Sequence, residues 1–299
     1  MGLLTFRPYV GHLSYATVMA LAFGALTSGP YAQSAVDKSI FVSAVDASGA
    51  PVKGLTAAEF RAREDGADRE VVALEPATDT LNIVVLADTT KNADTFIRDI
   101  RNSLTAFVRQ VHAVSPDAQI SLMEFGQAAV TVTPFTNTTG DLEKGITKLV
   151  SRPDADSVLL EALIAANESL AKRTSPRRAV VILNMEPSTE RSREDPKRIQ
   201  EALRNSLAQL WAVSLQKGAL RNPTRDIVLG TLTKNTGGQR EFLVASSAAE
   251  TVLKGYADML TSQYELTYKR PESAKRPLAV QVGVVRQGVK LHASGFAPK

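Results

Sequence analysis

Two hydrophobic periodicities divide the chain. A period of two marks both ends. Ile40, Val42 and Ala44 alternate with polar or small residues over 38–46, and a second strand is read at 69–74. Toward the other end Tyr264, Leu266 and Tyr268 alternate, then Leu278, Val280, Val282 and Val284, and a third strand is read at 289–292. Between these ends the pattern changes. Residues 81–87 and 179–185 are nearly continuous apolar, β-branched runs, as expected of strands covered on both faces. Further strands are read at 120–125, closed by Gly126, and at 129–132, 210–215 and 240–244.

Helical spacing fills the gaps. Phe96, Ile97, Ile100, Leu104, Phe107, Val108 and Val111 line one face of a helix over 95–113. Other helices are read at 141–150 and 158–172. Another opens with Asp195 as N-cap and Pro196 at N1 and runs to Leu207. The helix at 226–233 ends at Asn235-Thr236-Gly237-Gly238. Ser247 and Glu250 have capping-box spacing at the head of a closing helix lined by Val252, Leu253, Tyr256, Met259 and Leu260. Thr56 and Glu59 repeat that spacing, with Leu55 and Phe60 as a hydrophobic staple, and predict one helical turn. Asp46-Ala47-Ser48-Gly49 and Glu64-Asp65-Gly66 read as turns.

Strands alternating with helices at this spacing predict an α/β fold, a doubly wound and mostly parallel sheet with helices on both faces. The tight connection at Gly126-Gln127 adds an antiparallel edge strand. The binding crevice of such a sheet lies at the carboxyl ends of its strands. Neither terminal strand set can cover its own apolar face, so 36–77 and 263–299 are expected to pair into one small β layer beside a core domain at 78–262.

Composition narrows the function classes. The 299 residues are 44% hydrophobic and 22% charged, an ordinary globular balance with a formal charge of +4. The basic clusters at Lys172, Arg173, Arg177 and Arg178 and at Lys269, Arg270, Lys275 and Arg276 lie between apolar runs, without interleaved aromatics, so no nucleic-acid partner is expected. The chain has no cysteine, which excludes disulfides, thiolate metal sites and cysteine nucleophiles. Arg7 precedes an apolar stretch over 15–26, followed by small and turn-forming residues to Ala35, the pattern of a secretory signal peptide over 1–35. The stretch is short for a membrane span of about 20 residues. Cleavage would give an exported chain, periplasmic or extracellular, with no membrane span; the alternative is an uncleaved signal anchor.

Several segments together resemble the von Willebrand factor A-related proteins known as an expanded set in acidobacteria. The opening Pro51-Val52-Lys53-Gly54-Leu55-Thr56-Ala57-Ala58-Glu59-Phe60, then Glu64-Asp65-Gly66, and the closing Ser262-Gln263-Tyr264-Glu265-Leu266-Thr267-Tyr268 match that family's pattern in order. The resemblance implies an A-like domain with a metal ion-dependent adhesion site at the strand ends. Asp88-Thr89-Thr90-Lys91-Asn92 stands where the family has Asp-x-Ser-x-Ser, and Ser157 where it has a ligand threonine. Asn184-Met185-Glu186 stands where the family has a Thr-Asp-Gly, so the acid is replaced by Met185, and Glu186, one residue on, is expected to turn to the other side of the strand.

The resemblance thus assigns Asp88, Thr90, Lys91, Asn92, Ser157 and Glu186 to a binding surface, with Asp88, Thr90 and Ser157 as the remaining metal ligands. Mg²⁺ wants near-octahedral oxygens, and losing an acid while gaining Lys91 weakens such a site. Asp88 and Ser157 have a second reading, as turn and cap residues. No catalytic constellation assembles from His12, His112 and His292, and Gly237-Gly238 follows a helix instead of opening one as a phosphate loop would. The chain therefore reads as a non-enzymatic binding protein with a protein partner, through a weak Mg²⁺ ion or through Lys91 directly. The alternative is a structural component of a cell-envelope complex, docked through its terminal β layer.

Overall fold

The computed structural model describes residues 34–218, 220–272 and 275–299; the signal segment read at 1–35 lies outside them except for its last two residues. The central sheet has six strands in the order β10-β9-β8-β5-β6-β7. They are β5 (Asn82–Asp88), β6 (Gln119–Phe125), β7 (Ala129–Thr136), β8 (Arg178–Glu186), β9 (Gln209–Gln216) and β10 (Arg240–Leu243). All neighbours are parallel except β6 and β7. The two apolar runs are immediate neighbours in register, Val84 beside Val180 and Leu86 beside Ile182.

Every residue of β5 is buried because helices cover both faces of the sheet. Ile83, Val85 and Ala87 pack with α1 (Ile97–Val114), α2 (Thr139–Thr147) and α6 (Ala249–Thr261). Val84 and Leu86 point the other way, into α3 (Leu159–Ala171), α4 (Pro196–Ser206) and α5 (Pro223–Asn235). The doubly wound α/β architecture is present as the alternation predicts. Trp211, fully buried on β9, stacks at a tilt on Tyr256 of α6, with ring centroids 5.0 Å apart.

The terminal strands pair across the ends of the chain. β1 (Ala35–Val45) lies between β13 (Lys290–Ala293) and β11 (Tyr264–Pro271), and β4 (Val71–Pro76) completes a four-stranded antiparallel sheet. A second, three-stranded sheet, β12 (Val280–Val284), β2 (Phe60–Glu64) and β3 (Ala67–Arg69), is added to it, so the terminal strands form two sheets where one layer is expected. The two sheets share a third core with Ile40, Val42, Phe60, Ala62, Leu266, Tyr268 and Val280. β2 was unread as a strand because one of its inward positions is a charge, Glu64, which is 1% exposed. The turn after it is a two-residue hairpin, in which Asp65 (φ 45°) and Gly66 (φ 87°) both take the left-handed conformation that Asp-Gly favours.

Local predictions held unevenly. The Glu59 carboxylate accepts from the Thr56 N–H at 2.8 Å, and Leu55 and Phe60 are both buried beside that turn. The second capping box does not form. A 3-10 turn at Ser246–Ala248 precedes α6, and the Ser246 hydroxyl donates to Asp99 of α1. Gly238 follows α5 where its Cα meets the β9 backbone, so an added methyl would overlap the Leu210 carbonyl. Gly238→Ala is expected to cost at least about 2 kcal/mol, because backbone cannot move aside as a side chain can. A lowered urea midpoint with unchanged slope checks this.

Candidate functional site

The carboxyl ends of β5 and β8 meet the loop 150–158 and the first turn of α5 at one rim of the sheet. Backbone alternation places Asp88 on the α3–α5 side, since it follows Val84 and Leu86 on that face. Its Oδ1 accepts from the Thr90 N–H and its Oδ2 from the Met185 N–H, each at 2.9 Å. Burial raises the Asp88 carboxyl above its ordinary range, opposed by the nearby Arg225 guanidinium and these hydrogen bonds.

Glu186 turns to the opposite side of β8 from Met185, as alternation predicts, and that is the side Asp88 occupies. Its Oε1 accepts from the Asn184 side-chain amide at 3.2 Å, and its Oε2 from the Asn222 N–H at 3.3 Å. A third carboxylate was missed altogether. Glu190, in the loop after β8, accepts from the Ser157 hydroxyl at 3.0 Å and from Ser192 at 2.5 Å. Burial raises its carboxyl too.

All three carboxylates face one cation. Arg225 is fully buried in the first turn of α5, its N–H held by the Asn222 N-cap side chain at 3.1 Å. Its Nη2 lies 3.8 Å from Asp88, and its Nε lies 3.6 Å from Glu186 and 3.5 Å from Glu190. Arg240 reinforces the cluster, 3.4 Å from Glu186 and 2.7 Å from Asp226. Placing α5 at 226 left Arg225 outside a helix and hid it. The signal was Asn222-Pro223, an N-cap with proline at N1, which puts an arginine in a first turn where the helix dipole disfavours it unless acids surround it.

The metal-ligand set read from the resemblance is therefore not assembled as such. Thr90 and Ser157 are fully buried, and Ser157 is committed to Glu190 and to the Leu159 N–H. Both Asp88 oxygens are already acceptors. A divalent ion set 4 Å from the Arg225 guanidinium would be repelled by about 8 kcal/mol at an effective dielectric constant of about 20. Among the described residues no group of three or more acidic or histidine side chains is arranged to hold a metal ion. The residues do not fit Mg²⁺.

Lys91 also differs from expectation. Its ammonium pairs with Asp156 at 2.8 Å, so its charge is turned away from the buried cluster and is engaged within the protein. Asn92 donates to the Pro187 carbonyl at 2.8 Å and ties the first loop to the end of β8. Backbone bonds tie the rest. Lys91 N–H donates to Ala155 O (3.1 Å), Arg152 N–H to Thr89 O (3.0 Å), Ser157 N–H to Thr189 O (2.8 Å) and Arg191 N–H to Ser157 O (2.7 Å). Three loops thus form one stitched platform above the buried charges.

The two described histidines have structural surroundings. His112 bridges the Thr139 hydroxyl at 2.8 Å and the Ala118 carbonyl at 3.1 Å. His292 is buried against Trp211, and burial lowers its imidazole below the ordinary value. His12 lies outside the described residues.

This sheet order, with helices on both faces and loops gathered at one rim, defines a von Willebrand factor A-like fold. No protein-family model and no curated protein sequence matches the chain. Among solved structures it is similar to proximal thread matrix protein 1 from the mussel byssus, at 19% identity and TM-score 0.50 over 64% of this chain and 49% of that one. The same mussel protein with a zinc-occupied metal ion-dependent adhesion motif matches at 18% identity and TM-score 0.50, over 63% of this chain and 50% of that one. The VWA domain of SpRpn10 is also similar, at 11% identity and TM-score 0.46, covering 57% of this chain and 93% of that domain. The chain spans about half the length of the mussel protein it matches. At these identities the likeness is one of fold.

Proposed function

We propose that the protein is an exported, non-catalytic binding module that engages a protein partner through the platform formed by the loops after β5, before α3 and after β8. The observation that carries this reading is the stitching of those loops by backbone hydrogen bonds. Loops held in one arrangement before binding lose little freedom on association, which is how a scaffold turns surface into affinity.

The exposed groups on the platform give the partner's character. Lys91, Arg152, Arg191 and Arg193 are exposed there, with Asp154 exposed and Asp156 partly covered between Lys91 and Arg191. Glu194 and Asp195 end the loop after β8, so cations and acids are mixed across the platform and favour a polar, charge-patterned partner surface, with an on-rate that falls as salt rises. Export rests on Arg7 and the apolar stretch at 15–26. The structural surroundings of His112 and His292 support a role in binding over one in catalysis.

The test is partner capture by cross-linking in the source cells with a charge-reversed platform. Arg191→Glu with Arg193→Glu is expected to lose the captured protein and keep the wild-type melting temperature, because both side chains are exposed. Lys290→Glu, on the exposed edge of the terminal layer, is expected to retain it. The reverse pattern would transfer docking to the terminal β layer and overturn the platform reading.

A further inference from the structure

The inner face of the rim holds an arrangement that neither an ordinary ion pair nor a metal site explains. Three carboxylates arrive from three different segments, Asp88 at the end of β5, Glu186 at the end of β8 and Glu190 in the following loop. They converge on one guanidinium carried by the first turn of α5. All four side chains are at most 5% exposed. All three guanidinium nitrogens of Arg225, and the Thr90 hydroxyl two residues after Asp88, are buried without a hydrogen-bond partner in the protein.

We infer that Arg225 is a built-in cation that stands in for the metal ion of an A-like site, so that the rim loops are held permanently by a charge belonging to the chain. The chemistry of the donor set supports this. Thr90 binds Asp88 through its N–H, the Ser157 hydroxyl binds Glu190, and Glu186 and Glu190 supply the acids that Met185 cannot. Such a set of oxygens needs positive charge at its centre, since three carboxylates cannot be buried together without it. A guanidinium suits the place better than an ammonium would, because it is planar, keeps its charge and spans several acceptors at once. Arg225 is fully buried, so no partner carboxylate reaches it, and contacts fall to the loop platform above.

Taking the arginine away should convert a metal-indifferent protein into a metal-dependent one. The wild-type chain should melt at the same temperature, within about 1 °C, in EDTA and in 5 mM Mn²⁺ or Mg²⁺. Its titration with Mn²⁺, followed by the loss of free-ion paramagnetic resonance signal, should show no site below millimolar concentration. Arg225→Ala should melt lower in EDTA and recover by several degrees in Mn²⁺. Asp88→Asn added to that variant should abolish the recovery. Tight Mn²⁺ binding by the wild type that Asp88→Asn removes would overturn the proposal, as would a folded Arg225→Ala protein that ignores the metal. Should Arg225→Ala be insoluble without metal, the wild-type titration still decides. None of these readouts involves the partner, so their failure is separable from failure of the platform reading.

Discussion

Glu64→Ala is expected to lower stability by about 3–5 kcal/mol, the cost of removing one member of a buried, hydrogen-bonded ion pair and leaving the other uncompensated. Glu64 is the charged centre of the terminal sheets. Arg270 Nη2 donates to it at 2.6 Å, the Tyr268 hydroxyl at 2.5 Å and Arg69 Nε at 3.0 Å, and its side chain is fully buried. It sits on β2 while Tyr268 and Arg270 sit on β11, so the cluster joins the three-stranded sheet to the four-stranded one. Burial alone would raise this carboxyl, but the donors from Arg270, Tyr268 and Arg69 outweigh it and hold the group below its ordinary 4.5.

The sign of the pH dependence follows from that direction. A carboxyl whose folded value is depressed binds fewer protons folded than unfolded, so its contribution is complete above pH 4.5 and is lost as pH falls through the folded value. Wild-type stability should therefore drop more steeply below pH 4.5 than that of Glu64→Gln, which has no charge to lose there. Urea melts at pH 7, 5 and 3.5 separate the two. Equal slopes would show that Glu64 is not the group that titrates.

That cluster also shows why part of this fold was legible and part was not. Residues 81–87 and 179–185 announced themselves because a strand covered on both faces is almost wholly apolar, and they are neighbours in the sheet. The helix at 95–113 was similarly plain, its apolar face at regular spacing, and α1 runs Ile97–Val114. β2 failed the same test. Its inward positions are Phe60, Ala62 and Glu64, so alternation breaks at the one residue whose burial depends on partners some 200 positions away. A pairing over that distance leaves no mark on local periodicity.

The rim was half legible for the same reason. Asp88, Thr90 and Ser157 were found by motif and are all buried, Thr90 bonded to Asp88 and Ser157 to Glu190. Glu186 turns to the opposite side of β8 from Met185, as alternation predicts, but Asp88 shares the face of Glu186, so the position where the family has its acid points into the other core. Arg225 and Glu190 belong to no motif. Their role exists only in three dimensions, where an arginine opening one helix meets acids from two strand ends and a loop.

A second long-range node should fail almost as severely. Arg177→Ala is expected to cost about 3 kcal/mol or more, because it strands several buried acceptors at once. Arg177 stands just before β8, 3% exposed, where the chain enters and leaves the α/β core. Its guanidinium donates to the Ala77 and Asp79 carbonyls at 3.1 and 3.3 Å on the way in. On the way out it reaches the Leu260 carbonyl at 2.5 Å and the Gln263 side chain at 3.0 Å. Gln263 passes the connection on, donating to Gln209 at 2.7 Å, and Gln209 donates to the Phe41 carbonyl on β1 at 3.4 Å. Burial lowers the guanidinium to about 10, still protonated at neutral pH, so the node keeps its charge there.

Loss of this side chain removes donors shared by the sheet and by the strands that lead to the terminal layer, so cooperativity should suffer along with stability. Trp211 reports the sheet from its buried place on β9, while far-ultraviolet dichroism reports all strands. In the wild type the two probes should give coincident urea transitions, and in Arg177→Ala they should separate. Arg177→Lys, with one compact head in place of a planar fork, should recover only part of the loss. Coincident transitions at an unchanged midpoint in Arg177→Ala would mean that the sheet and the terminal strands are coupled through their apolar contacts alone.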